Sequence, residues 1–431
     1  MNQTPVHVHS VRQDILASLV VFLVALPLSL GIALASGAPP VAALAAAIIG
    51  GIVVGAISGA PLVVTGPAAG LSAIVLGYVQ TYGLEKLFQI TVLAGIIQVV
   101  FAGMRTARFI QKLPKTVVEG VLSAIGLIIV LGQIHIIMGQ KIPGGPVTNI
   151  LGMSAAFSAM LAGPGKFALL VGVASLMVIV SWKHVSKKFA WLPAALPGVL
   201  IGTLASISFT IPRISVGPLG AHITDALNNT LNYSFWSGMI SLLMPALGLA
   251  IVASAESLLT ARSVDVLASK KHLKMPLDVN RELFAQGVGN FVSGIFGGLP
   301  LSGVMVRSAA NIEAGASSRK STIMHGVWIA GFVILVPQVL SVIPLAALAA
   351  VLIFTGIKLL NISHMIEAFR SNAKEAWIWP ATLVAVVSTD LLKGLFIGIA
   401  LALANQWVLS RKLKESEQED SRFEAKSSVE A

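Results

Sequence analysis

Two charged residues stand in stretches otherwise suited to hydrocarbon. Glu256 lies in Ala253-Ser-Ala-Glu-Ser-Leu-Leu-Thr260, near the end of a long apolar run, and Arg307 in Leu301-Ser-Gly-Val-Met-Val-Arg-Ser308. A charge at the centre of a bilayer costs roughly 2.5–3.5 kcal/mol on insertion scales, so such a group normally faces a cavity, an ion or a partner. Glu256 and Thr260 are four residues apart and share one helical face. Their oxygens suit a hard cation such as sodium, and a buried carboxylate can equally carry a proton. Arg307 keeps its charge and presents a planar fork of donors to an oxyanion. The plainer alternative is an ion pair between the two, and both readings can hold together.

The elements that must position these groups are unusual. Ser58-Gly-Ala-Pro-Leu-Val-Val-Thr-Gly-Pro-Ala-Ala-Gly-Leu-Ser72 and Phe296-Gly-Gly-Leu-Pro-Leu-Ser-Gly-Val-Met-Val-Arg-Ser308 are both interrupted by glycine and proline, and each leads into a short apolar span. Equivalent broken segments in two halves of a chain point to an inverted repeat with a site near the membrane midplane. Unwound backbone at that depth is tolerated only where protein buries it or water reaches it. Pro67 and Pro300 are expected in the first turn of two half-helices, where the missing N–H costs nothing. The free N–H groups and positive dipole ends of those helices would face each other and attract an anion. The anion is expected near Ala68, Ser302 and Gly303, with Thr65, Ser72 and Ser302 as hydroxyl donors.

Composition agrees with a membrane setting. Of 431 residues, 56% are hydrophobic and 11% charged, against about 25% charged in a soluble domain. Apolar stretches such as Ile15–Ala35, Gly120–Met138 and Phe235–Ala255 approach the roughly 20 residues that cross a bilayer. No cysteine is present, so thiolate and disulfide chemistry are excluded. No catalytic triad, phosphate loop, metal motif or haem signature appears, so the chain is not read as an enzyme and no cofactor is expected beyond a sodium ion. Residues 1–13 lack the features of a cleaved leader and read as a cytoplasmic tail, with His7 and His9 in it rather than in a metal tract. Asp14 and Glu119 are read as acids complementing helix starts. Glu313 is placed near the cytoplasmic mouth, and His135 as interfacial packing.

The fold class expected is an all-α polytopic membrane protein. About fourteen spans segment as 14–36, 41–60, 67–80, 87–104, 116–138, 164–182 and 190–209, then 236–261, 282–298, 302–316, 321–340, 342–360, 376–391 and 392–410. Repeat one is 14–209, the linker 210–235, repeat two 236–410, and 411–431 a short cytoplasmic tail. With both termini in the cytoplasm, 23 of the 29 basic residues fall inside, five outside and Arg307 within a span. That is the positive-inside rule, so the net charge of +11 reports topology in a cell membrane and not nucleic-acid binding.

The same residues carry a family resemblance. Asp14-Ile-Leu-Ala with Ala25-Leu-Pro-Leu-Ser-Leu-Gly, Thr65-Gly-Pro-Ala-Ala-Gly, Ala255-Glu-Ser-Leu-Leu-Thr260 and Gly297-Gly-Leu-Pro-Leu-Ser-Gly-Val-Met-Val-Arg-Ser-Ala-Ala-Asn311 occur in the order seen in the SulP family of anion transporters, which the chain resembles from Asp14 to about Leu413. The resemblance implies a 7+7 inverted repeat, with spans three and ten as half-helices. It further implies core and gate domains that move as an elevator, and usually a homodimer. It implies an anion held by Leu28, Ser29, Thr65, Gly66, Ala68, Ala69, Leu301, Ser302, Gly303 and Arg307. Pro27-Leu28-Ser29 is similar to the branch of sodium-dependent bicarbonate transporters. That branch has an aspartate at Glu256 and a threonine at Thr260, the coupling-ion pair; a glutamate there is similar to proton-coupled members. Most members end in a cytoplasmic STAS domain, for which residues 411–431 are too few.

The function expected is therefore secondary active transport of a small inorganic anion, bicarbonate first and sulfate second, coupled to sodium or protons. The alternatives are an anion exchanger, a passive anion channel, or a nucleobase:cation symporter of the same fold.

Overall fold

The computed structural model describes residues 11–107, 114–143, 145–185, 193–271, 273, 276–389 and 393–411. His7, His9, Lys112, Lys187, Lys188, Lys274 and the tail beyond Arg411 lie outside the described residues. The elements used below are α1 (Val11–Ala35), α2 (Pro40–Ile57), β1 (Thr65–Pro67), α3 (Ala69–Tyr82), α4 (Leu84–Gly103), α5 (Lys115–Ile137), α6 (Gly165–Val185), α7 (Ala195–Ala205), α8 (Leu219–Leu231), α9 (Leu243–Lys270), α10 (Val279–Ile295), β2 (Leu301–Gly303), α11 (Met305–Glu313), α12 (Lys320–Leu335), α13 (Leu345–Leu360), α14 (Ile362–Ala376), α15 (Ile378–Ser388) and α16 (Lys393–Arg411). Shorter helical turns between them carry no label.

Among the described residues, eight helical segments are long and apolar enough to cross a membrane. A helix lies in each of the fourteen segments expected to cross. The six that fall short of that length run from 9 residues in α11 to 17 in α10. The 210–235 linker is not plain connector: it holds the amphipathic helix α8. His222 Nε2 lies 2.8 Å from the carbonyl of Gly297, and the Thr230 hydroxyl donates to Ile295 O, which ties α8 to the end of α10. Neither contact has a local sequence signal.

The chain forms two compact units, Met1–Lys112 with Ile125–Leu359, and Leu113–Ala124 with Leu360–Ala431. In the smaller one, Trp379 is fully buried and its indole N–H donates to Ser123 Oγ at 2.9 Å. Glu119, expected only to complement a helix start, pairs there with Lys115 at 3.6 Å and His364 at 3.3 Å.

The larger unit holds the main apolar core, which includes Val24, Leu28 and Leu30 of α1, Leu44 and Ala47 of α2, Ile329 of α12 and Leu348 of α13. It interleaves residues distant in sequence. α4 lies along α10, and a Cβ on Gly95 would come within 2.6 Å of Gly287 O. Small residues permit that backbone approach, as is usual where lipid removes the hydrophobic drive between helices.

Asp14 fastens α1 to α12. It is 1% exposed and accepts hydrogen bonds from the backbone N–H of Ser317 at 2.7 Å and of Ser318 at 3.1 Å, and from both serine hydroxyls. The acid expected to serve its own helix start serves the approach to another. Asp14→Ala removes the acceptor of two backbone N–H groups, one buried and one half-buried, at a cost of about 1–3 kcal/mol each. Thermal unfolding in detergent should show a drop in midpoint of several degrees, with Asp14→Asn intermediate. An unchanged midpoint would dismiss the fastening.

Candidate functional site

The two broken segments meet. β1 and β2 pair antiparallel, with Thr65 opposite Gly303, Gly66 opposite Ser302 and Pro67 opposite Leu301. Inside a helical protein this ribbon satisfies backbone groups that neither helix could, as burial at membrane depth demands. The expected place of the prolines is corrected here. Pro67 ends β1 and Pro300 precedes β2, so a three-residue strand separates the second proline from its helix. α3 begins at Ala69 and α11 at Met305, after the extended residues Ala68 and Val304, and no side chain caps either start.

Arg307 sits in the first turn of α11 and is 0% exposed. Its Nη2 donates to Ser29 Oγ of α1 at 3.0 Å and to the carbonyl of Pro67 at 3.3 Å. Nε and Nη1 have no hydrogen-bond partner. A Cβ on Gly66 would overlap Nη1, so the absence of a side chain at position 66 is what lets the guanidinium lie against β1. Among the described residues no carboxylate pairs with Arg307. The ion pair with Glu256 weighed from sequence is not formed. A buried guanidinium with two unpaired donor nitrogens is costly, and an oxyanion is the ligand that would satisfy it best.

Glu256 is bound to the other strand of the ribbon. Its Oε2 accepts from the Ser302 hydroxyl at 2.9 Å, and a Cβ on Gly70 would overlap its Oε1. Thr260, one turn on, is 7% exposed, with its methyl towards Gly303. The structure brings together Ser29, Thr65, Gly66, Ala68, Ala69, Leu301, Ser302, Gly303, Arg307, Glu256 and Thr260 around the ribbon, and it gives several of the expected donors partners within the protein. Ser302 gives its hydrogen to Glu256, the Gly303 N–H goes to Ser257 Oγ at 3.0 Å, Thr65 Oγ1 accepts from Gln286 at 2.9 Å, and Ser72 donates back to Ala69 O. Leu28 belongs to the apolar core. Thr65 accepts without spending its own hydrogen, so its hydroxyl and the two unpartnered nitrogens of Arg307 are the donors that remain. Glu313, at the end of α11, is exposed, and His135 is buried with Nδ1 3.1 Å from Leu131 O.

Sequence reasoning missed two features. His325 of α12 is buried, with Nε2 unpartnered, and nothing in its local sequence marks it. Glu282, Gln286 and Asn290 of α10 are all buried at spacings of four. That polar stripe in an expected span was a readable signal, since residues four apart share a helix face.

A helical membrane protein with two interrupted segments paired at its core is the class this fold defines. The model of the sulfate permease family matches residues 11–382, and the chain belongs to that family. The bicarbonate transporter BicA of Picosynechococcus sp. is 25% identical over 412 residues, covering 92% of this chain and 70% of its own. Chloroplastic sulfate transporter 4.1 of Arabidopsis thaliana is 26% identical over 410 residues, covering 91% of this chain and 58% of its own. The solved transmembrane domain of a cyanobacterial BicA superposes with a TM-score of 0.75 at 24% identity, covering 89% of this chain and 97% of that one, a likeness of fold.

Proposed function

We propose that this member of the family is a secondary active transporter whose substrate is bicarbonate, with sulfate second. The observation that carries the reading is Arg307: fully buried, in the first turn of an uncapped helix, with Nε and Nη1 free. One fixed positive charge matches a monoanion. A dianion would leave one charge uncompensated in a low dielectric, which ranks bicarbonate ahead of sulfate. Relatives named as bicarbonate and sulfate transporters support the same class. A neutral nucleobase gives the guanidinium no counter-charge, which disfavours the symporter alternative.

Glu256 is the coupling residue in this reading. Its carboxylate carries the Ser302 hydroxyl, and with Thr260 one turn on it would supply oxygen ligands of the kind that sodium takes. The rest of the proposal is the 7+7 repeat of fourteen spans, elevator motion of a core against a gate, a homodimer in the cell membrane and both termini in the cytoplasm. A structure determined with bicarbonate should show density within hydrogen-bond reach of Arg307 Nε or Nη1 and the first N–H groups of α11. Anion density elsewhere in the core, with none at Arg307, would refute the site.

A further inference from the structure

α10 runs beside the ribbon, and its buried stripe bonds to both strands and to the chain leading into each. Asn290 makes the pair of bonds a neighbouring strand would make: Leu301 N–H donates to its Oδ1 at 2.8 Å, and its Nδ2 donates to Leu301 O at 3.0 Å. The same Nδ2 reaches Gln98 Oε1 at 2.8 Å, and Gln98 in turn donates to Ser254 of α9. Ser293 donates to Leu299 O at 2.7 Å. One turn back, Gln286 Nε2 donates to Thr65 Oγ1 at 2.9 Å and to Glu282 Oε1 at 2.7 Å. Glu282 accepts at Oε2 from the Ser58 hydroxyl and from Ala60 N–H at 3.2 Å, which holds the chain entering β1.

Two facts set this stripe apart from general polar packing between helices. It contacts both strands of the ribbon: Gln286 holds β1 and Asn290 holds β2. Each strand also carries one side of the candidate site. Pro67 of β1 receives Arg307 Nη2, and Ser302 of β2, next to Leu301, donates to Glu256. Asn290 uses its oxygen and its amide nitrogen at once, and Gln286 uses both amide hydrogens while its Oε1 has no partner; bonds of this directionality set the ribbon's position more narrowly than apolar contact could.

We propose that Glu282, Gln286 and Asn290 are positioning residues that hold the ribbon where Arg307 and Glu256 can act on an anion and its coupling ion. The proposal rests on the transport reading above for its functional consequence, and on the hydrogen bonds alone for the frame itself. Glu282 acts here as a fixed acceptor. It is 0% exposed, while a coupling carboxylate must exchange its ion with water, as the partly exposed Glu256 can.

The test is a double-mutant cycle of Gln286→Met and Thr65→Val, with bicarbonate uptake measured in proteoliposomes. Gln286→Met should raise KM for bicarbonate about tenfold and leave kcat within about twofold, because the chemical groups of the site remain while their placement loosens. If Gln286 works through Thr65, the double variant is no worse than the poorer single one. Unchanged KM with a lowered melting midpoint, or KM effects that multiply in the double variant, would overturn the positioning role. Hydrogen exchange gives a readout independent of transport. Gln286→Met and Asn290→Asp should speed amide exchange in 58–67 and 299–304 and leave α12 and α13 unchanged; exchange that rises everywhere, or nowhere, rejects the frame. A wild-type protein that takes up neither bicarbonate nor sulfate would defeat the transport reading while the exchange data still decide the frame.

Discussion

Arg307→Ala is expected to weaken anion binding by roughly thirty- to a thousandfold while the protein stays folded. The range follows from about 2–4 kcal/mol for losing a buried, charge-assisted contact. The fold should survive because the guanidinium has only neutral partners, the Ser29 hydroxyl and the Pro67 carbonyl. Removing a buried charge with two unpaired nitrogens offsets much of the packing lost with the side chain. The melting midpoint without anion should therefore hold or rise, and the rise in midpoint that saturating bicarbonate gives the wild type should vanish. Arg307→Lys keeps the charge but not the fork, and should fall between the two. Normal uptake with a collapsed midpoint would make Arg307 a packing residue instead.

Glu256→Gln is expected to turn concentrative uptake into equilibration: internal bicarbonate rises to the external level and no further. The carboxamide can still accept from Ser302, now at 2.9 Å, so the ribbon keeps its shape and anion affinity should change by less than about threefold, under 0.7 kcal/mol. What is lost is the charge that holds the coupling ion. In the sodium reading, Thr260→Ala raises the sodium needed for half-maximal uptake about tenfold, a hydroxyl ligand's share, and a proton gradient alone drives nothing. Uptake driven by an inward proton gradient without sodium would replace sodium with the proton at Glu256. Uptake that ignores both gradients in wild type and variant alike would leave an exchanger and reject coupling at this residue.

The two charged residues were legible because each violates a local rule. A carboxylate in Ala253–Thr260 and a guanidinium in Leu301–Ser308 are anomalies whatever they touch, since the cost of burying a charge is paid residue by residue. The same holds for the paired Gly/Pro interruptions. What they touch was not legible. The hydroxyls assigned to an anion turned out to be engaged by Glu256, Gln286 and the backbone, and hydrogen-bond partners depend on orientation that residue type does not encode.

Hydropathy, helix breakers and charge along the chain already specify a polytopic membrane protein with two broken segments, one acid and one base within apolar stretches, and a resemblance to one transporter family. Hydropathy, helix-breaking residues and charge act over one to twenty residues, so they can be read in order along the chain. Folding in three dimensions is what pairs β1 with β2 in one register and sets Arg307 on Ser29 and not on Glu256. It likewise decided that Asp14 serves Ser317 and Ser318, and that α10 frames the ribbon. Those contacts join residues as far as 278 and 303 positions apart. A hydroxyl or amide has many partners of equal intrinsic strength, and packing alone selects which one comes within 3 Å.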